Sequence, residues 1–449
     1  MSNPTSLAPK PTLNFFDAVA LIVGIVIGAG IFRTPSLVAA NSGSWEIMLG
    51  AWVLGGIVSI IGALCYAELT SAFPNTGGDY HFLRMAFGKR LAFLFAWSRL
   101  SVVQTGSIAL LAFIFGDYAT LIHDLGPHSS VIYAGLTVIV LTVINIGGVK
   151  MGAGAQKILT VAELTGIILV IGAGLLLAPN GTEVSPSSLP TDSGSSGSFG
   201  LAMVFVLLTF GGWNEAAYLS GELKKGSKLL VKALISGIIT ITIIYALINL
   251  AYYRGLGMEG MANSNAVAGD LMKVSFGDTG AWVMAILVAI AALTSANASM
   301  FTGARSNFAL GRDFSLFSPL GEWKKGDKGP INSFIIQGIV ALLLVGLGLF
   351  SRNGFETMVE YTAPVFWFFF LLVGISLFLL RKKAPETHRP YKVPLYPLLP
   401  ILFCISSAYL LYSSIAYTGW GALLGVAVLI LGVLLMYLFP IKNKSVQQN

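Results

Sequence analysis

Val23-Gly24-Ile25-Val26-Ile27-Gly28-Ala29-Gly30-Ile31-Phe32 and Thr209-Phe210-Gly211-Gly212-Trp213-Asn214 decide how this chain is read. Each is a cluster of small residues in the middle of a long apolar run. One explanation is close packing, because small residues spaced along a membrane helix let a neighbour's backbone approach. Their position favours a second explanation. One cluster lies in the first apolar run and the other in the sixth, so they hold matching places in two five-helix halves. Glycine-interrupted helices in corresponding positions are the sequence mark of a carrier's substrate site.

The rest of the chain agrees that these runs lie in lipid. Of 449 residues, 55% are hydrophobic and only 10% charged, whereas a soluble domain carries about 25% charged residues. That balance excludes a soluble enzyme, a nucleic-acid module and a disordered chain. The net charge of +7 is explained by basic loops on one face of a membrane, so no nucleic-acid partner is expected. Hydropathy places spans near 15–39, 45–72, 88–119, 130–146, 155–178, 199–221, 228–254, 279–308, 331–350, 355–381, 396–416 and 419–440. These runs are apolar on all faces, unlike the alternating strands of a membrane barrel. The expected fold is all-α, a single multi-pass domain of twelve transmembrane helices in contact with the lipid bilayer.

Basic residues orient it, since lysine and arginine collect on the cytoplasmic side. Between spans, all but Arg254, Lys273 and Arg352 fall on the side of the two termini, and Arg33, Arg99 and Lys157 lie within spans. Both termini are therefore expected in the cytoplasm of a cell-membrane protein. Cys65 and Cys404 sit in apolar runs, so no disulfide framework is expected. The four histidines lie between runs, and no nucleotide, haem or zinc motif occurs; no cofactor, metal or catalytic residue is expected. Segment 180–198, rich in Ser, Gly, Pro and Thr, reads as an external loop and holds the triplet Asn180-Gly181-Thr182.

A helix interrupted in mid-membrane frees N–H groups at the start of one half and C=O groups at the end of the other, with partial charge from the dipole at both. Such backbone is tolerated only where it lines a cavity. A zwitterion satisfies both ends. Its carboxylate takes the N–H groups of Ala29, Gly30 and Ile31, beside Gly28. Its ammonium takes carbonyls near Val26, Leu208, Thr209 and Gly211, beside Phe210. An L-amino acid fits that description.

The sequence resembles the amino acid/polyamine/organocation (APC) superfamily, within it the L-type amino acid transporter branch. The matching stretches are Gly28-Ala29-Gly30-Ile31-Phe32 with Pro35; Tyr66-Ala67-Glu68-Leu69 leading to Pro74-Asn75-Thr76-Gly77-Gly78-Asp79-Tyr80 and Phe87-Gly88; and Phe210-Gly211-Gly212-Trp213-Asn214 with Glu222. The resemblance implies a 5+5 inverted repeat, residues 15–178 and 199–381, with two peripheral helices at 396–440. It also implies a sodium-independent amino-acid carrier or exchanger in which Val26, Ala29, Gly30, Leu208 and Gly211 hold the substrate's main chain and Asn214 lies close by. Three positions depart from the pattern. Leu208 replaces a bulky aromatic, Leu223-Lys224-Lys225-Gly226-Ser227 replaces a Lys-Asn-Pro motif, and Glu163 stands where span 5 commonly carries a lysine.

Charges inside a membrane are expensive and functional by default. Glu163 and Arg99 lie at similar depths in spans 5 and 3, so two roles are open for Glu163: an ion pair with Arg99, or proton or cation carriage beside the broken first span. Glu68 is expected to hold loop backbone or Arg84, and Glu215 to cap or orient the second half of span 6. Gln104, Ser295 and Asn297 are candidate cavity-lining residues, while Trp367 and Phe366 read equally as packing or gate. An amine or polyamine carrier of the same fold, or a membrane nutrient receptor, remains compatible with these residues. Repeated pore segments of a channel are not present, nor are clustered intramembrane nucleophiles of an enzyme. The topology has a direct check: single cysteines at Ser195 and Gly326 should label from opposite faces, with Ser195 outside, and labelling from one face would refute the twelve-span arrangement.

Overall fold

Backbone in hydrocarbon has no water to bond, so an apolar run must close its hydrogen bonds along its own axis. The structure, a computed structural model, describes residues 14–75, 77–147, 153–177, 196–216, 226–322, 330–350, 353–416 and 419–438, and among these it has helices and no strand. The first span is split into α1 (Phe15–Val26) and α2 (Thr34–Ser42), joined by a 3-10 turn at Ala29–Phe32. Span 2 is α3 (Trp45–Ala72), followed by the short α4 (Gly78–Phe87). Span 3 is α5 (Lys89–Ser98) and α6 (Gln104–Ile122), continuous through a π-turn at Arg99–Val103. Spans 4 and 5 are α7 (Ser129–Ile146) and α8 (Ala153–Gly172). Span 6 is broken into α9 (Ser196–Thr209) and α10 (Trp213–Ala216). The remainder are α11 (Gly226–Ala262), α12 (Val267–Asp313), α13 (Ile331–Leu347), α14 (Gly354–Lys383), α15 (Leu398–Ala416) and α16 (Trp420–Leu438).

Among the described residues, nine helices are individually long and apolar enough to cross a membrane. Spans 1 and 6, each divided at its glycine cluster, are not among the nine. The helices α11 and α12 run past their spans into a surface excursion, bent at Gly257 (φ 66°) and Gly277 (φ 67°). That excursion, residues 257–277, covers one end of the bundle. Caps fix where spans begin: the Ser44 hydroxyl accepts the Ile47 N–H and the Asn353 amide oxygen accepts that of Glu356, each at 3.3 Å. Three glycines of α3 bring the bundle together, since a Cβ at Gly55, Gly56 or Gly62 would collide with Val206, Thr242 or Trp213.

The basic end is tied by one carboxylate. Glu68, 1% exposed, accepts two hydrogen bonds from Arg381, Nε at 2.7 Å and Nη2 at 2.5 Å, and a third from the Val393 N–H at 2.7 Å. Arg389 Nε stands 3.6 Å away and, through its other nitrogens, donates to the carbonyls of Leu380, Ala384, Pro385 and Thr387. Glu68 thus holds loop backbone, as expected, but its cations are Arg381 and Arg389 and not Arg84, because the segment after α14 folds back over α3. The sequon at Asn180, Glu222, residues 223–225, and the labelling positions Ser195 and Gly326 lie outside the described residues, as do the side chains of Lys157 and Glu215.

Removing a single partner of a buried ion pair strands the other charge, a loss of about 3–5 kcal/mol. Arg381 keeps 21% of its side chain exposed, which places Glu68→Gln at the low end, about 3 kcal/mol. The expected result is an earlier thermal transition in detergent; a melting curve unchanged from the parent would refute the clamp.

Candidate substrate site between two broken helices

The first span breaks because its sequence is poorly helical at that point. Ile25-Val26-Ile27 are β-branched, and each glycine of Gly28-Ala29-Gly30 is about 1 kcal/mol less favourable in a helix than alanine. The chain leaves α1 at Val26, is fully extended at Gly28 (φ −141°, ψ 179°), and re-enters helix through the 3-10 turn. Pro35 then sits in the first turn of α2, where its missing N–H removes nothing. In span 6, α9 ends at Thr209 and the chain turns through Phe210-Gly211-Gly212. Gly212 has φ +104°, a conformation that side chains rarely adopt.

Both breaks face one cavity of about 320 Å³. Of the residues expected to hold substrate, Val26, Gly28, Ala29, Gly30, Leu208, Thr209, Gly211 and Asn214 line it. Ile31 and Phe210 do not: both are fully buried. Phe210 packs in a cluster with Trp52 and Tyr245, ring centroids 6.2 and 5.0 Å away. The Ile31 N–H lies 3.4 Å from Gly28 O. Gln104, Ser295 and Phe366 also line the cavity. Asn297 instead accepts a bond from Asn145 Nδ2 at 2.7 Å, and Trp367 is buried in an aromatic cluster with Phe366 and Phe370. The cavity runs from Gly30, Thr34 and Phe355 down to Asp79 and Arg99, toward the basic end.

Three tyrosines that sequence reading passed over hold the unwound backbone. The Tyr245 hydroxyl lies 3.1 Å from Thr209 O and 3.4 Å from Val26 O, so one proton reaches the carbonyls that end both half-helices. Tyr252 reaches Ile31 O at 3.5 Å, and Tyr118 donates to Phe32 O at 2.6 Å. A signal existed in the sequence. A buried tyrosine needs a partner for its hydroxyl, and in a membrane the partners in supply are carbonyls released by a broken helix. Each carbonyl keeps a second lone pair, which a bound ammonium could use.

Glu163 and Arg99 do not pair. Arg99 Nη2 donates to Gln104 Oε1 at 3.0 Å, and Gln104 Nε2 continues to Ser299 O on α12 at 2.7 Å. The Glu163 Oε1 atom is buried with no hydrogen-bond partner among the described residues. It lies on α8, outside the cavity lining. One turn further along α8, a Cβ at Gly166 would stand 3.7 Å from Phe32, so this stretch of the helix runs beside the broken first span.

The sequence profile of the amino acid permease family matches residues 13–448. The chain is 29% identical over 448 residues to the b(0,+)-type amino acid transporter 1 of Rattus norvegicus, covering 98% of this chain and 90% of that protein. It is 30% identical over 448 residues to the Asc-type amino acid transporter 1 of Homo sapiens, covering 96% and 83%. It is also 30% identical over 444 residues to the large neutral amino acids transporter small subunit 2 of Mus musculus, covering 96% and 81%.

Two glycines separate site from scaffold. At Gly30 a Cβ meets nothing closer than 3.8 Å, so Gly30→Val should stay folded, block ligand approach to the unwound backbone and abolish ligand-induced thermal stabilisation. At Gly212 a Cβ would stand 3.0 Å from Ile25 O in a positive-φ conformation, so Gly212→Ala should destabilise the fold by about 1 kcal/mol or more. Full ligand stabilisation in a well-folded Gly30→Val variant would move the site elsewhere.

Proposed function

The chain belongs to the amino acid permease family, and on that premise we propose that it is a secondary carrier that takes up amino acids with a proton, by alternating access. As a member of that family it is an amino acid transporter, spanning the membrane many times. The observation that carries the finer reading is the pair of broken helices opening on one cavity, with Tyr245 joining their carbonyl ends. The zwitterion's carboxylate occupies the N–H groups at Ala29 and Gly30, where the dipole of the following helix adds positive charge. Its ammonium adds to the carbonyls of Val26, Leu208, Thr209 and Gly211. Asn214, on the cavity wall, fixes orientation. Ile31 and Phe210 support this backbone from behind.

The basic end is the cytoplasmic one, by the distribution of lysine and arginine, and the cavity leads toward it past Asp79 and Arg99. This is the inward-facing arrangement of a carrier whose two five-helix repeats rock about the site. Glu163 is the proton carrier: it has a buried oxygen without a partner, it runs beside the broken span, and Arg99 is engaged with Gln104. A proton taken up outside neutralises the carboxyl while the outer face is open. Its release to the cytoplasm accompanies substrate release, so substrate and proton move the same way.

The measurement is uptake of radiolabelled amino acids by proteoliposomes, with and without an imposed pH gradient. The parent should accumulate substrate against its gradient when the outside is acid. Glu163→Gln, a mimic of the protonated acid, should keep binding and counterflow and lose the gradient-driven accumulation. Accumulation that persists in Glu163→Gln excludes this residue as the carrier. A parent indifferent to the gradient would instead be an exchanger.

A further inference from the structure

Next to Thr34 and Phe355 of the cavity lining lies a buried cation. Arg33, immediately after the 3-10 turn of span 1, is 1% exposed. Its Nε lies 3.4 Å from Asp117 Oδ2 on α6. Its Nη1 donates to Ser36 Oγ at 2.5 Å and to Ser264 O at 3.2 Å, and its Nη2 to Asn265 Oδ1 at 3.1 Å. The Phe355 ring of α14 stacks on the guanidinium, 5.5 Å to the centroid. The neighbouring residues repeat the pattern: Tyr118 donates to Phe32 O and accepts the Ala268 N–H at 3.3 Å. Two consecutive residues of span 1 are thus knotted to two consecutive residues of α6 and to the surface excursion at 264–268.

A second cavity, of about 580 Å³, lies on the other side of this knot, and Asp117, Asn265, Ala266 and Asp270 line it. Thr34 and Phe355 line the inner one. Arg33 touches both linings, Phe355 of the inner cavity and Asp117 and Asn265 of the outer one, and so stands between them. We propose that Arg33 is the latch of the external gate: it keeps its ion pair to Asp117 and releases Ser264, Asn265 and Phe355 when the carrier opens outward. The proposal rests on the carrier reading and adds a positioning residue to it. The chemistry suits a door. The contacts to be released are with neutral acceptors and a ring, while the guanidinium, a charge that would be expensive to leave buried without a counter-ion, stays neutralised by Asp117. Asp117 is itself held in place by the Ser130 hydroxyl at 2.5 Å on α7, so the guanidinium has a fixed post to swing from.

The test uses Ser295→Cys on the inner cavity wall in oriented proteoliposomes of the full chain, with the parent as control for Cys65 and Cys404. A membrane-impermeant maleimide is added from outside or sealed inside. In the background of Arg33→Leu with Asp117→Leu, which leaves no orphan charge, outside labelling should rise about tenfold, the change produced by ~1.4 kcal/mol in a two-state balance. Asn265→Ala, at an exposed residue, should give a smaller rise with the ion pair intact. Inside labelling should not increase in either. Unchanged outside labelling in both backgrounds, or a parallel rise from both faces as a loosened fold would give, overturns the latch. Labelling requires no transport, so reciprocal behaviour in a protein that moves no amino acid would refute the carrier reading and leave the latch standing.

Discussion

Backbone amides without helical partners, at the level of the membrane where no water can reach them, set the terms for the rest of this structure. Breaks at Gly28 and at Gly211-Gly212 leave N–H and C=O groups that lipid cannot satisfy. The fold answers by surrounding them with protein. Tyr245, Tyr252 and Tyr118 bring hydroxyls to the carbonyls of Val26, Thr209, Ile31 and Phe32. Trp52 and Phe210 pack around the Tyr245 ring and hold its hydroxyl at depth. What remains is a cavity lined by the unwound backbone of both spans, which the proposed reading fills with a zwitterion.

Buried charge is distributed by the same logic of satisfaction. At the basic end Glu68 is surrounded by Arg381, Arg389 and the Val393 N–H, and its work is to bind a loop to α3. At the other end Arg33 is surrounded by one carboxylate and several neutral groups, a mixture that can be partly released. Glu163 differs from both, because one of its oxygens has no partner among the described residues. A fully satisfied ion is a fastener, a partly satisfied one can act as a hinge or latch, and an unsatisfied carboxyl is suited to gain and lose a proton.

The two cavities give these charges a direction. The inner one joins the broken helices to Asp79 and Arg99, and the outer one ends at Asp117 and Asn265. Arg33 contacts Phe355 on the one side and Asp117 and Asn265 on the other. Under the proposed carrier reading, substrate held at the unwound backbone meets one face at a time, and Arg33 lies within a few positions of the break at Gly28.

Much of this was legible in the sequence. Hydropathy alone determined that the chain is helical and spans the membrane many times, because the backbone's need for partners in lipid admits no other structure for unbroken apolar runs. The breaks in spans 1 and 6 were legible too: glycine and β-branched residues disfavour helix locally, whatever surrounds them. Partnerships were not. Arg99 and Glu163 lie at similar depths, yet Arg99 turns to Gln104. Glu68 finds Arg381 rather than Arg84, across 313 residues of chain. Ile31 and Phe210 belong to the marked segments and still point away from the cavity. Tyr245 carries no motif at all, although it joins the two breaks. Such pairings depend on how each helix is rotated about its axis and how far it slides against its neighbours. No local pattern encodes those quantities, and only the packed bundle decides them.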